Sequence, residues 1–253
     1  MTRLFYCCAF LLALTVSSFA QKKKKVASTT KDAILVFAKT KGFRHASIPK
    51  GKAALMLLGE QNRFAVDTTE DASAFTSENL KKYKAVVFLS TTGDVLNDAQ
   101  QTAFEQYIRG GGGYVGIHAA ADTEYDWPWY NQLVGAYFLS HPKQQSVDVV
   151  VHSQNHPSTS MLPDRWKRFD ELYNYKKIVL GIKVLATLDE STYKGGANGV
   201  NHPFIWYREF DGGRSFYTGG GHTDESFVEP LFVQHLLGGI EYAMGRKSVK
   251  KPM

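Results

Sequence analysis

Three continuous apolar runs constrain the fold most. They are Ala33 to Ala38 (AILVFA), Ala85 to Leu89 (AVVFL) and Tyr114 to Ile117 (YVGI). None alternates between apolar and polar, so each reads as a strand covered on both faces, as in a parallel sheet between helices. The segments between them carry helix signals. Pro49 sits near the first turn of a helix that ends around Gly59, with Ala53, Leu57 and Leu58 on its apolar side. Asn97 is an N-cap with Gln100 three residues on. The helix it opens places Ala103, Phe104, Tyr107 and Ile108 on one side and stops at Gly110 to Gly113. Phe64 to Thr68 alternates like a strand, and Ser77 to Lys82 reads as a short helical turn. Strand and helix in alternation predict an α/β fold with a mostly parallel sheet and right-handed crossovers.

The second half is richer in strands: Val147 to Val151, Lys167 to Leu172, Val184 to Leu188, Pro203 to Phe210 and Ser215 to Thr218. Asp211-Gly212 is a hairpin turn between the last two. Phe227 to Met244 closes the pattern as an amphipathic helix. With no repeat and no linker, residues 32–246 read as one elaborated α/β domain.

Residues 1–20 stand apart. Arg3, the apolar run Phe10 to Val16 and the small residues Ser18 and Ala20 read as a signal peptide cut after Ala20. The apolar run is shorter than the about 20 residues that span a bilayer, so no integral membrane association is expected. A periplasmic or secreted location follows, with residues 21–31 as a flexible basic leader. Cys7 and Cys8 are the only cysteines. Cleavage would remove both, and with them disulfides, thiolate metal sites and cysteine nucleophiles. The net charge of +6 owes four charges to Lys22 to Lys25. No basic run lies within the folded part, so no nucleic-acid groove is expected.

Ligands of an open parallel sheet bind beyond the carboxyl ends of its strands. The polar residues that follow strands are Arg44 and His45; Thr91, Thr92 and Asp94; His118 and Asp122; and His222, Asp224 and Glu225 after Gly219 to Gly221. Three of the eight histidines thus gather at one edge. Each has a plainer reading: His45 as a helix cap, His118 as a buried histidine bonded to backbone. Open space around His118 is expected from its glycine and alanine neighbours. His156 and His202 precede prolines and read as surface turns, and His152 and His235 as structural. Gly110 to Gly113 precedes a strand, and no Lys-Ser/Thr follows Gly219 to Gly221, so neither is a phosphate cradle. Tyr125, Trp127, Trp129 and Tyr130 are either core packing or a wall on which a sugar stacks.

The stretch GGGGYVGIHAAAD, residues 110–122, has the form of a nucleophile elbow with histidine where Ser or Cys normally stands. Together with TKGFRH, FLSHP, FDELYNY and HPFIWYREFDGGRSFYTGGGHTDESF, it resembles the ThuA-like (trehalose utilisation) family. The resemblance runs from Ile34 to about Gly245. It implies the class I glutamine amidotransferase-like fold, a flavodoxin-like sheet with additions. In true amidotransferases the elbow carries cysteine and a later His-x-Glu completes a triad. Here His118 and His222 take those places, Glu225 falls three residues after His222, and cysteine-based glutamine hydrolysis is excluded. The resemblance also implies action on a sugar or oxidised (3-keto) sugar derivative, with a small carbohydrate as partner. A non-catalytic carbohydrate-binding protein on the same scaffold is the alternative.

Two chemistries suit these residues. One is a divalent metal (zinc, manganese or iron) held by His45, His118, His141 and His222. The other is metal-free acid/base work by His118 and His222. Glu171, in FDELYNY, joins them as the carboxylate the resemblance supplies; its plainer reading is an edge-strand acid paired with Lys or Arg. Arg44, Asp122, Trp127 and Asp224 are the expected substrate-binding residues.

Overall fold

The computed structural model describes residues 32–246. The elements run in chain order as β1 (Ala33–Phe37), α1 (Ile48–Asn62), β2 (Ala65–Thr69), α2 (Ser77–Leu80), β3 (Ala85–Leu89), α3 (Asp98–Arg109) and β4 (Gly113–Ile117). Then follow α4 (Pro128–Val134), β5 (Tyr137–Ser140), β6 (Gln145–Val151), β7 (Arg165–Asp170), β8 (Asn174–Lys176) and β9 (Lys183–Leu188). The hairpin β10 (Pro203–Phe210) and β11 (Gly213–Thr218) leads to α5 (Pro230–Ala243).

Nine strands form one sheet in the order β2-β1-β3-β4-β11-β10-β9-β6-β7, and β5 pairs with β8 apart from it. Neighbours from β2 to β11 are parallel. From β11 to β7 they are antiparallel. The parallel half therefore has the flavodoxin-like order, with its switch point between β1 and β3. One face of the sheet packs Ile34, Val36, Val87 and Val115 against Leu55 and Leu58 of α1 and Leu236 and Ile240 of α5. The other packs Phe37, Phe88 and Tyr114 against Leu80, Phe104, Ile108 and Tyr130. Both faces of these strands are covered, which is why their sequences do not alternate.

Register positions the site. Leu89 of β3 lies opposite Ile117 of β4, and Ile117 opposite Thr218 of β11. The next residues, Ser90, His118 and Gly219, therefore leave the sheet side by side. Among the described residues no helix is long and apolar enough to cross a membrane. The expected signal peptide and leader lie outside the described residues.

Several elements differ from expectation. Helix α1 runs on to Asn62 and ends with Arg63 in the left-handed region. It buries Gly51, Leu55 and Leu58, while Ala53 and Leu57 face solvent. Strand β7 stops at Asp170, so Glu171 lies just past its end. The closing helix starts at Pro230, after a separate 3-10 turn at Glu225–Val228. Helix α4 and strands β5 and β8 were not anticipated; four- and three-residue strands show too few positions for a period to register.

Candidate functional site

At the tip of β4 the chain turns on His118, whose φ is 49°. A left-handed backbone at a non-glycine residue is uncommon and costs on the order of 1–3 kcal/mol. Here three contacts hold it. The Tyr217 hydroxyl donates to the His118 carbonyl at 2.6 Å. The ring packs on Tyr173 at 4.3 Å between centroids. His118 Nδ1 lies 2.9 Å from the Gly219 carbonyl, its neighbour in register. A carbonyl only accepts, so Nδ1 carries the hydrogen and Nε2 presents its lone pair. The elbow geometry expected of GGGGYVGIHAAAD is therefore present. The expected open space is not: His118 and Ala119 to Ala121 are all 0% exposed. The alanines are small because they pack, not because they leave room.

Around His118 Nε2 the other groups converge. His222 Nδ1 lies 3.2 Å away and Glu171 Oε2 3.3 Å away. His222 Nδ1 and Glu171 Oε2 are 3.0 Å apart. The His45 ring stands edge-on to His118 at 4.8 Å and to His222 at 5.0 Å between centroids. Each of His45, His118, Glu171 and His222 offers one ligand atom, and these four atoms lie within 4.8 Å of one another. His45 does not cap α1 with its side chain: its Nδ1 is buried without a hydrogen-bond partner. Burial, with His118 and His222 adding to it, pushes its pKa down to about 3, so its ring is a neutral donor.

Glu171 is not paired with Lys or Arg. Oε2 faces His118 and His222, and Oε1 faces His141 at 3.1 Å. Burial alone would raise its pKa; its contacts with the His118 and His222 rings outweigh burial and hold it below the usual carboxylate range. The cluster as drawn is acceptor-rich. With Nδ1–H committed to Gly219, a neutral His118 has no hydrogen to offer Glu171. A lone pair facing a carboxylate oxygen at 3.3 Å is relieved either by a hydrogen on His222 Nδ1, within reach of both, or by a cation, an added proton or a metal ion. Three imidazoles and a carboxylate suit zinc, manganese or iron. The residues therefore fit such an ion.

His222 and Glu171 are brought together by Asp170, which the sequence reading missed. Asp170 accepts hydrogen bonds from the backbone N–H of Gly221, His222 and Glu171 at 3.0 Å each. It is fully buried, and Arg168 lies 2.9 Å away. Burial opposes ionisation of Asp170, yet the Arg168 charge and the backbone donors hold its pKa below the usual value. Arg168 is also paired with Glu229 and bonded to Ser226. β7 lies four places from β11 in the sheet. Its end still reaches the β11 turn, so the antiparallel half curls over; the register shifts between β10 and β9 supply the bend. The turn itself needs glycine. A Cβ on Gly219 would sit 2.7 Å from the Tyr175 hydroxyl, and Gly221 has φ of 115°. A detectable signal existed in RWKRFD: Arg168 and Asp170 fall on the inward face of an alternating strand, where charges must be paired.

The other expected residues divide. His141 is not in the four-ligand group; it is exposed and stands behind Glu171, with Nδ1 also 2.9 Å from the Pro142 carbonyl. Asp122 is half-buried, and burial raises its pKa against the opposing hydrogen bond from Tyr125. Arg44 turns outward into a two-pronged pair with Glu70. Asp224 is exposed at the start of the 3-10 turn. Trp127 is packing: its Nε1 donates to Glu105 of α3 and its ring stacks on Trp129 and Tyr130. His156 and His202 are buried, not surface turns. Pro157 sits directly on α5 at Gly238, where a Cβ would come within 2.3 Å.

The fold and the elbow together define the class: an amidotransferase-like α/β scaffold with imidazole in place of the thiol. The sequence model of the ThuA family, described as trehalose utilisation, matches residues 33–243, and the chain belongs to that family. Its fold is similar to that of a ThuA-like protein from Bacteroides uniformis, with a TM-score of 0.73 and 25% identity over 87% of this chain and 94% of that one. A ThuA-like protein from Parabacteroides merdae gives a TM-score of 0.72 at 22% identity, over 88% and 93% of the two chains. A Thermoplasma acidophilum protein named for GMP synthase shares the fold at a TM-score of 0.55 and 9% identity, over 85% of this chain and 95% of that one. No curated protein matches.

Proposed function

We propose that this chain is a metal-assisted enzyme acting on a sugar or an oxidised (3-keto) sugar derivative. One observation carries the metal part: four donor side chains, from the ends of β1, β4, β7 and β11, focus within 4.8 Å. The sugar part rests on the family's description as trehalose utilisation. A secreted or periplasmic location belongs to the same reading and rests on residues 1–20.

His45, His118, His222 and Glu171 would hold a zinc, manganese or iron ion, which would supply Lewis-acid polarisation of a sugar oxygen. The chain does the rest. Gly219 fixes His118 with Nε2 toward the cluster, and Asp170 fixes the backbone of His222 and Glu171. Ionised Glu171 balances the charge. Asp122, raised by burial, is the group suited to hold a proton for a sugar hydroxyl.

The test is metal analysis of the mature protein after gentle purification. Close to one ion per chain is expected; less than about a tenth of an equivalent overturns the metal part. Glu171→Gln keeps the shape, removes the charge and should lose the ion. A 3-keto-glycoside should turn over with the loaded wild type. Binding of sugars with turnover of none would instead make the chain a carbohydrate-binding protein.

A further inference from the structure

Phe43 stands at the rim of this site and has no role in the chemistry above. It is 65% exposed, while most phenylalanines of the described chain are buried in the core. A large apolar ring left in water forgoes burial. Phe43 is nevertheless held in place. Its carbonyl accepts from the Thr92 hydroxyl at 2.8 Å. The N–H of Lys41 donates to the Thr92 carbonyl at 2.7 Å, and the N–H of Gly42 donates to the Thr92 hydroxyl at 3.2 Å. Thr92 is fully buried, so one fixed residue staples the whole approach to Phe43. The staple joins the loops after β1 and β3, the switch point where ligands of such sheets bind. The ring meets the buried His45 edge-on at 4.9 Å, and His45 in turn meets His118 and His222.

We propose that Phe43 is the stacking platform for the substrate, taking the C–H face of a pyranose ring beside the His/Glu cluster. The inference rests on the sugar reading above and assigns that reading a residue. The surroundings favour a sugar over a lipid chain or an extended apolar peptide. The exposed neighbours of Phe43 are Lys41, Gly42, Arg44 and Ala46, and Arg44 is engaged with Glu70. An apolar disc flanked along the chain by Lys41 and Arg44 matches a ring with one C–H face and a hydroxyl edge. An acyl chain needs a continuous apolar track, which these neighbours do not provide. Trp127, the sequence's candidate for this part, is committed to packing against α3.

The experiment compares wild type, Phe43→Ala and Phe43→Trp, each loaded with zinc. Trehalose and its 3-keto form are the probes, followed by saturation-transfer NMR and titration calorimetry. Wild type should transfer saturation to sugar C–H protons. Phe43→Ala should bind about tenfold more weakly, and Phe43→Trp within about threefold of wild type, with zinc content and Tm unchanged in both. If wild type and Phe43→Ala bind a probe equally, Phe43 is not the platform, although the sugar reading stands. If Phe43→Ala loses zinc, the residue supports His45 and the platform assignment is wrong. If wild type binds neither probe, the sugar reading fails and the platform with it, whatever the zinc content.

Discussion

His45, His118 and His222 are largely buried at the carboxyl ends of parallel strands; His156, His202 and His235 are as deeply buried elsewhere. The first three share a focus with Glu171. The other three each hold Nδ1 on a local partner, while Nε2 of His156 and of His235 is buried without one. His156 Nδ1 is bonded to Ser158, His235 Nδ1 to the Ser158 carbonyl, and His202 to Glu190, Tyr193 and the Tyr173 carbonyl. Burial therefore does not distinguish a working histidine from a structural one. Convergence of several ring nitrogens and a carboxylate on one point does.

The sharpest way to break that distinction is to exchange roles. His118→Asn, which tolerates the left-handed backbone, should cut turnover of a 3-keto-glycoside on the order of 100- to 10,000-fold. His235→Leu should leave turnover of the folded fraction intact and lower the urea midpoint instead. Equal effects on turnover would erase the difference between the two groups. Asp170→Asn comes next. It leaves Glu229 as the one carboxylate paired with the buried Arg168 and should cost about 1–3 kcal/mol in urea unfolding, together with weaker metal binding.

A smaller effect is pH dependence. Burial pushes His156 down to about 4 and His235 to about 3 in the fold. Unfolded, each titrates near about 6.5. The unfolded chain therefore binds more protons between those values, and stability is lost as pH falls. The loss should begin near pH 6.5 and continue to about 4 for His156 and about 3 for His235, on the order of 1–2 kcal/mol per histidine at pH 5. His156→Gln should flatten part of that slope in urea midpoints measured from pH 7.5 to 5. The smallest effects are expected from residues assigned to packing or surface. Trp127→Phe loses the bond to Glu105 and about 1 kcal/mol of stability, with sugar binding unchanged. Arg44→Ala breaks an exposed pair and should shift stability by less than about 1 kcal/mol.

Strands β1, β3 and β4 were legible because they are buried on both faces and their apolar runs do not depend on partners. The first and third of these runs located His45 and His118, and the strand at Ser215 to Thr218 located His222, since strand ends mark the ligand edge. Glu171 entered through the family resemblance, and nothing in its spacing predicted a reach across the curled sheet. Asp170 was hidden one residue away, because its function lies in backbone donors of a distant turn. His156 and His202 were misread because His-Pro suggests an exposed turn. Gly238 of α5, by lacking a side chain, lets the helix cover the first of them. Trp127 was ambiguous because an aromatic cluster has the same composition in a core and in a binding wall.

The contacts that close the site join parts of the chain far apart in sequence. His118 meets His222 across 104 residues, and Ser47 donates to the Gly221 carbonyl across 174. Contacts of such separation carry a large loop-closure cost and reward the chain late in folding. The four donors come together only after β11 has docked beside β4 and the end of β7 has swung over. On the metal reading proposed above, ion binding would therefore follow folding and not nucleate it. A chelator should silence the cluster and leave the sheet standing, unlike a zinc finger, whose chain collapses into order only around its ion.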